Sequence, residues 1–176
     1  MSSVRFYEGY AYGSGRRYAV DHMAKDPPTI GWREWVQLPD LGVDEIKAKV
    51  DTGADNSSLH AFNIQRFTRN EVPMVRFEIH PRQKRKRPSI KCEAEIIGEK
   101  KVKNPGGRRE VRPIIKTRLV VAGKVIDAKV NLTTRDEMTF RMLLGRRTVR
   151  KKFLIDPGRS YLGGRPQKSK QESEKT

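Results

Sequence analysis

The sequence predicts a mainly β protein, a small barrel or sandwich with one short helix near its C-terminal end. Three observations carry this. Apolar residues alternate with others over residues 72–80, 90–98, 111–121 and 125–132, and a period of two lines one face of a strand. Turn signals separate these stretches at short intervals: Pro39-Asp40-Leu41-Gly42, Asn104-Pro105-Gly106-Gly107 and Ala122-Gly123-Lys124. The helix-compatible stretch is brief, near Arg147 to Lys152, just past Met142-Leu143-Leu144-Gly145.

Residues 1–29 mix Tyr, Gly, Arg and Ser and end in Pro27-Pro28. They read as a flexible extension. Tyr7, Tyr10, Tyr12 and Tyr18 with Arg16 and Arg17 have the chemistry to stack on and hold RNA. Gly13-Ser14-Gly15 is no phosphate loop, because no Lys-Ser/Thr follows at the required spacing.

A folded domain is expected over residues 30–162. Residues 34–38 and 45–50 read as its first strands, joined by the Pro39–Gly42 turn. Trp32 and Trp35 belong to the core or the domain edge, and Glu34 and Glu45 to solvent. Leu59 to Phe62 is compatible with a helical turn. Strand 72–80 leads into Arg82-Gln83-Lys84-Arg85-Lys86-Arg87-Pro88, a run that must be solvated or paired with anions. Residues 163–176 have no apolar face and read as a disordered tail.

Of 176 residues, 35% are apolar, so the core is modest, and the net charge is +17. The charge is uneven. Residues 31–81 carry 6 basic against 8 acidic side chains, residues 82–118 carry 14 against 4, and residues 141–176 carry 11 against 3. Such fields favour acidic partners: nucleic acid, anionic lipid or an acidic peptide. The one cysteine, Cys92, excludes an intrachain disulfide. No secretory pattern opens the chain and no run is long enough to span a bilayer, so a cytoplasmic location is expected.

The chemistry concentrates at Val50-Asp51-Thr52-Gly53-Ala54-Asp55. An alternating strand, Ile46 to Val50, runs into it, and Gly53 permits a sharp turn. That turn leaves the Asp51 carboxylate at a strand end among backbone N–H groups. The Thr52 hydroxyl is able to brace the loop, and Asp55 to tidy the turn. One reading is an Asp that polarises a water against a peptide carbonyl. The other is an ordinary Asp-Thr-Gly turn.

Asp-Thr-Gly-Ala-Asp followed far downstream by Leu143-Leu144-Gly145-Arg146 resembles the retropepsins, the single-lobe aspartic peptidases. Gly31-Trp32-Arg33-Glu34-Trp35-Val36-Gln37-Leu38-Pro39 precedes the loop. Leu132-Thr133-Thr134-Arg135-Asp136-Glu137-Met138 precedes the Gly-Arg element, and Phe153 to Tyr161 follows it. In that order the motifs are similar to a bacterial retropepsin-like family labelled as ATP-dependent zinc proteases (RimB-like). The resemblance implies a retropepsin-like closed β-barrel and a hydrolase with Asp51 as the catalytic group. Thr52, Gly53, Ala54, Asp55 and Arg146 would support the loop and bind substrate, with Asp55 paired to Arg146. A mobile flap would lie within residues 82–112, its tip near Gly106-Gly107. One Asp-Thr-Gly per chain implies a homodimer, because the chemistry needs two carboxylates sharing a proton. Asp156-Pro157-Gly158 is the nearest second copy and lacks the hydroxyl. The apolar Phe153-Leu154-Ile155 is open to two readings, interface or core strand.

The family is associated with ligases that add glutamates to a ribosomal protein. The resemblance therefore implies an acidic, oligo-glutamate substrate, and a ribosome or RNA nearby. A non-catalytic RNA- or ribosome-binding module keeping the same fold is the competing reading. The label's zinc and ATP find no support in the residues. There is no His-Glu-x-x-His, no paired Cys and no phosphate loop; His60, His80 and Cys92 are scattered. No metal and no cofactor are expected.

Overall fold

Alternation decides which side of each strand meets the core, and the turns decide which strands meet each other. The computed structural model describes residues 26–83, 85, 87–103, 109–134 and 139–166. The aromatic-basic extension up to residue 25, the Asn104–Arg108 turn with its Gly pair, Arg135–Met138 and the tail from residue 167 lie outside them.

Strand β1 (Thr29–Gly31) leads into β2 (Arg33–Leu38), a single 3-10 turn over Pro39–Leu41, and β3 (Val43–Asp51). Gly42 closes that turn at φ +66°, a left-handed position suited to glycine. Next come β4 (Ser57–His60), β5 (Phe62–Arg69), β6 (Val72–Ile79), β7 (Ile90–Glu95), β8 (Gly98–Lys103), β9 (Arg109–Val121) and β10 (Lys124–Thr133). The chain ends through β11 (Met142–Gly145), α1 (Arg146–Val149) and β12 (Leu154–Asp156).

Six strands close into a barrel in the order β10-β4-β11-β3-β2-β9, with β9 and β10 joining the ends as a hairpin. Ala122 and Gly123 both take positive φ in that hairpin turn, as a tight connection between twisted strands requires. The fold is therefore the mainly β closed barrel with one short helix that the sequence predicts. The barrel interior is filled by Val36, Leu38, Ile46, Ala48, Leu59, Ile115, Leu119, Val130, Met142 and Leu144, all buried. Strand β8 hangs on the free side of β9.

Strands β5, β6 and β7 form a separate antiparallel sheet. Its inner face, Val75, Phe77 and Ile79, is fully buried. Burying a side chain of this size contributes about 2–3 kcal/mol. Cys92 of β7 joins that face, its thiol donating to the Leu41 carbonyl at 3.5 Å. Strands β1 and β12 pair in parallel as a two-stranded sheet.

Several local expectations are corrected. Leu59 to Phe62 forms no helical turn: Leu59 and His60 end β4 and Phe62 opens β5, because β4 lies between β10 and β11. The helix covers Arg146–Val149 rather than Arg147–Lys152, and Lys151 follows at φ +63°. Residues 90–98 are two strands, since Ile96 and Ile97 turn the chain from β7 into β8. The segment expected to hold the flap divides in two. Residues 82–89 connect β6 to β7, and β8 with β9 form a hairpin whose turn lies outside the described residues. Phe153 is buried, whereas its neighbour Leu154 is half exposed.

Candidate active site

Asp51 is the last residue of β3, and the register places Gly145 of β11 beside it and Leu144 beside Val50. Beyond Asp51 the chain folds back on itself. The Asp51 Oδ1 accepts hydrogen bonds from the Gly53 and Ala54 N–H groups, each 3.1 Å long. These fix the carboxylate without burying it: Asp51 is half-buried, and Thr52 and Gly53 are exposed.

The apolar strand behind the loop needs its glycine. A Cβ on Gly145 would stand 2.3 Å from the Asn56 carbonyl carbon, so only glycine lets β11 pass this close. The Gly145 N–H donates to Ser57 Oγ at 3.0 Å, and that hydroxyl also meets Thr148 Oγ1 at 2.8 Å. Two further backbone bonds run from α1 to the loop: Arg146 N–H to the Ala54 carbonyl (2.7 Å) and Arg147 N–H to the Asp55 carbonyl (3.0 Å). The loop that carries Asp51 is thus held by its own N–H groups in front and by β11 and α1 behind.

Arg146 and Asp55 do meet, at 3.4 Å between Nη2 and Oδ1. One arm of the guanidinium makes the contact, and Arg146 is not the sole partner of Asp55. Arg147 shares the same carboxylate through Nε at 2.9 Å, and the other end of the Arg146 fork donates to the Thr52 carbonyl at 3.2 Å. All three side chains are roughly half exposed or more, so the pairs are worth little energy and mainly set direction. Thr52 takes part through that carbonyl, rather than through the hydroxyl brace read from the sequence. Asp55 serves as an anchor for two arginines rather than as a turn-former.

His60, His80 and Cys92 form no ligand set. Phe62 lies between the two imidazoles, 4.4 Å from the His60 ring and 4.0 Å from that of His80. Cys92 sits elsewhere, against Leu41, and burial pushes its thiol up to about 11. Among the described residues, no three His, Cys, Asp or Glu side chains gather where they could hold a metal ion.

Glu34, expected in solvent, is fully buried. Its Oε1 accepts from the Gly31 N–H (2.7 Å) and the Leu162 N–H (2.8 Å), and its Oε2 from the Gly163 N–H (3.1 Å). Glu34 thereby ties the start of β2 to the segment after β12. A Cβ on Gly31 would lie 2.4 Å from the Arg159 carbonyl oxygen, so this junction too depends on glycine. The clue in the sequence is phase: Glu34 shares its face of β2 with Val36 and Leu38. Glu45 is also misplaced by the solvent expectation; Arg165 holds it with two bonds of 2.6 Å.

A closed barrel with one Asp-Thr-Gly loop, backed by an apolar strand ending in Gly-Arg, defines a retropepsin-like single lobe. The chain belongs to the RimB-like family, described as retropepsin-like aspartic endopeptidase RimB, which it matches over residues 29–166. It is 41% identical over 135 residues to a protein of Shewanella pealeana named probable alpha-L-glutamate ligase, covering 77% of this chain and 30% of that protein. A Desulfotalea psychrophila protein of the same name is 44% identical over 128 residues, covering 73% and 28%. The chain thus spans less than a third of the length of these relatives. Its fold is also similar to the crystal structure of a Legionella pneumophila protein of unknown function. That match has a TM-score of 0.64 and 31% identity, and covers 77% of this chain and 98% of the other.

Proposed function

We propose that the protein is an aspartic peptidase that works as a homodimer, with Asp51 from each of two chains facing across a two-fold axis. The observation that carries this is the Asp51 loop: a carboxylate pinned by two N–H groups, left open to solvent, and present once per chain. Two like charges a few ångströms apart cannot both ionise easily, so the pair holds one proton between them. The ionised Asp51 takes a proton from water as the water oxygen bonds to the peptide carbonyl carbon. The protonated Asp51 gives its proton to the carbonyl oxygen. The tetrahedral intermediate then collapses as a proton reaches the leaving nitrogen and the C–N bond breaks.

Two features support an acidic, glutamate-rich substrate. The positive charge of the sequence is concentrated in residues 82–118 and 141–176, and such a field attracts carboxylates. The relatives that share this domain are named for glutamate ligation, so a glutamyl tail, as on a modified ribosomal protein, is the substrate we infer. No helix among the described residues is long and apolar enough to cross a membrane. Mass spectrometry of a peptide carrying an oligo-glutamate tail, incubated with wild type or Asp51→Asn, tests the reading. Shortened products from wild type alone support it. Equal products from both, or none from either, contradict it. In the latter case, RNA binding that survives in Asp51→Asn would favour a binding module.

A further inference from the structure

The outer face of β3 does not end at the catalytic loop. Residues two apart share a face of a strand, so Asp51, Lys49, Lys47 and Glu45 form one row, running away from the loop. At about 3.3 Å per residue, Lys47 lies about 13 Å from Asp51. There the row enters a cavity of about 340 Å³. Its walls include Trp35, Glu45, Lys47, Arg82, Arg85 and Arg165, so four cations face one carboxylate. That carboxylate, Glu45, is already gripped by both arms of Arg165.

The site is built rather than incidental. The Lys47 ammonium sits 5.1 Å from the Trp35 ring and 5.6 Å from the Tyr161 ring, and cation–π attraction holds it in place. The Arg165 guanidinium lies 5.0 Å from the same Trp35 ring. Gln83, between Arg82 and Arg85, donates to the Thr139 carbonyl at 2.7 Å and ties their loop to the segment before β11. The rings here are already occupied by the protein's own cations. They serve as platforms for charge, which suits carboxylates better than stacked bases.

We propose that this cavity is a second binding site that anchors an acidic polypeptide segment, with exposed Lys49 as the stepping-stone between it and Asp51. The inference rests on the reading of Asp51 as the cleaving group and gives that reading a length rule. An extended chain spans the gap in about four residues. Tails longer than this engage both sites, and shorter ones reach only the catalytic loop.

The test uses fluorescein-labelled triglutamate and decaglutamate and the full chain carrying Asp51→Asn. Fluorescence anisotropy should show decaglutamate binding more tightly than triglutamate, and the decaglutamate complex weakening about tenfold in Arg82→Gln/Arg85→Gln, as expected for the loss of two solvent-facing ion pairs. In the Asp51-containing protein the same double substitution should raise KM for long tails and leave kcat and all short-tail kinetics unchanged. Equal affinities for the two peptides overturn the anchor, as does an unchanged decaglutamate affinity in the double variant. So does an oligouridine RNA that displaces decaglutamate and depends more strongly on Arg82 and Arg85. Cleavage surviving in Asp51→Asn would instead overturn the catalytic reading, and the tail-length dependence of binding would still stand.

Discussion

Asp51 and Glu34 are both carboxylates held by backbone N–H groups, and they do opposite work. Asp51 is bound by two N–H groups from its own turn and stays open to water. Glu34 is bound by three N–H groups, one from Gly31 and two from a segment 128 and 129 residues away, and is sealed from water. A local cradle can be formed by a few residues and still leave the charge free to meet a substrate. A remote cradle consumes the acceptor oxygens and turns the charge into a fastener.

Substitutions at the two positions should separate activity from stability. Asp51→Asn is expected to lower turnover of an acidic-tailed peptide by at least about a thousandfold, with a urea midpoint close to wild type. Unfolding at a much lower urea concentration would mean that Asp51, too, is a structural fastener. Glu34→Ala should do the reverse. Three N–H groups, one buried and two part-buried, would lose their acceptor, at a cost of about 3 kcal/mol in urea unfolding. Glu34→Gln, which keeps a carbonyl oxygen, should recover part of that loss. A Glu34→Ala protein as stable as wild type would remove the contrast.

The two carboxylates also differ in how readily the sequence disclosed them. Asp51 lay in a motif of contiguous residues, and its partner strand carried its own signature, Leu-Leu-Gly-Arg. The barrel was legible for the same reason: period-two alternation and turn residues are local. Glu34 was missed because its partners, Leu162 and Gly163, are remote in sequence, and a charged residue in an alternating strand reads as solvent-facing unless its phase is counted. The division of residues 82–112 was hidden because nothing local says that residues 62–95 leave the barrel to form their own sheet. The sharing of Asp55 by two arginines was hidden for a different reason. It follows from the helix starting at Arg146, one residue before the predicted start, which brings both side chains to the loop.

That sharing predicts a smaller effect. Arg146→Ala and Arg147→Ala should each destabilise the loop by no more than about 1 kcal/mol, because the pairs are exposed and one arginine covers for the other. The double variant should lose more than the sum of the singles, measured as loss of peptidase activity and unfolding free energy in a double-mutant cycle. Strict additivity would mean that the arginines act separately.

The smallest expected effect lies at the far end of the barrel. Hydrogen bonds from the Arg118 side chain and backbone hold the Asp40 carboxyl below its ordinary value of 3.8. A carboxyl whose folded pKa is lowered stabilises the fold fully above its unfolded pKa, and that contribution is lost as pH falls through the folded value. Arg118→Gln should therefore cost a little stability at neutral pH and make acid unfolding below pH 4 slightly less steep. An acid limb identical to wild type would show that the exposed pair is screened by solvent.

The central claim is that two Asp51 carboxylates, one from each chain, share the work. Subunit mixing tests it most directly. Wild-type and Asp51→Asn chains are combined in equal amounts, allowed to exchange, and assayed on an oligo-glutamate-tailed peptide. A homodimer that needs both aspartates retains only its wild-type pairs, so specific activity per total chain should fall to about a quarter of the pure wild type and follow the square of the wild-type fraction. A linear fall, with about half of the activity left at equal mixing, would mean that each chain works alone, and would contradict the account.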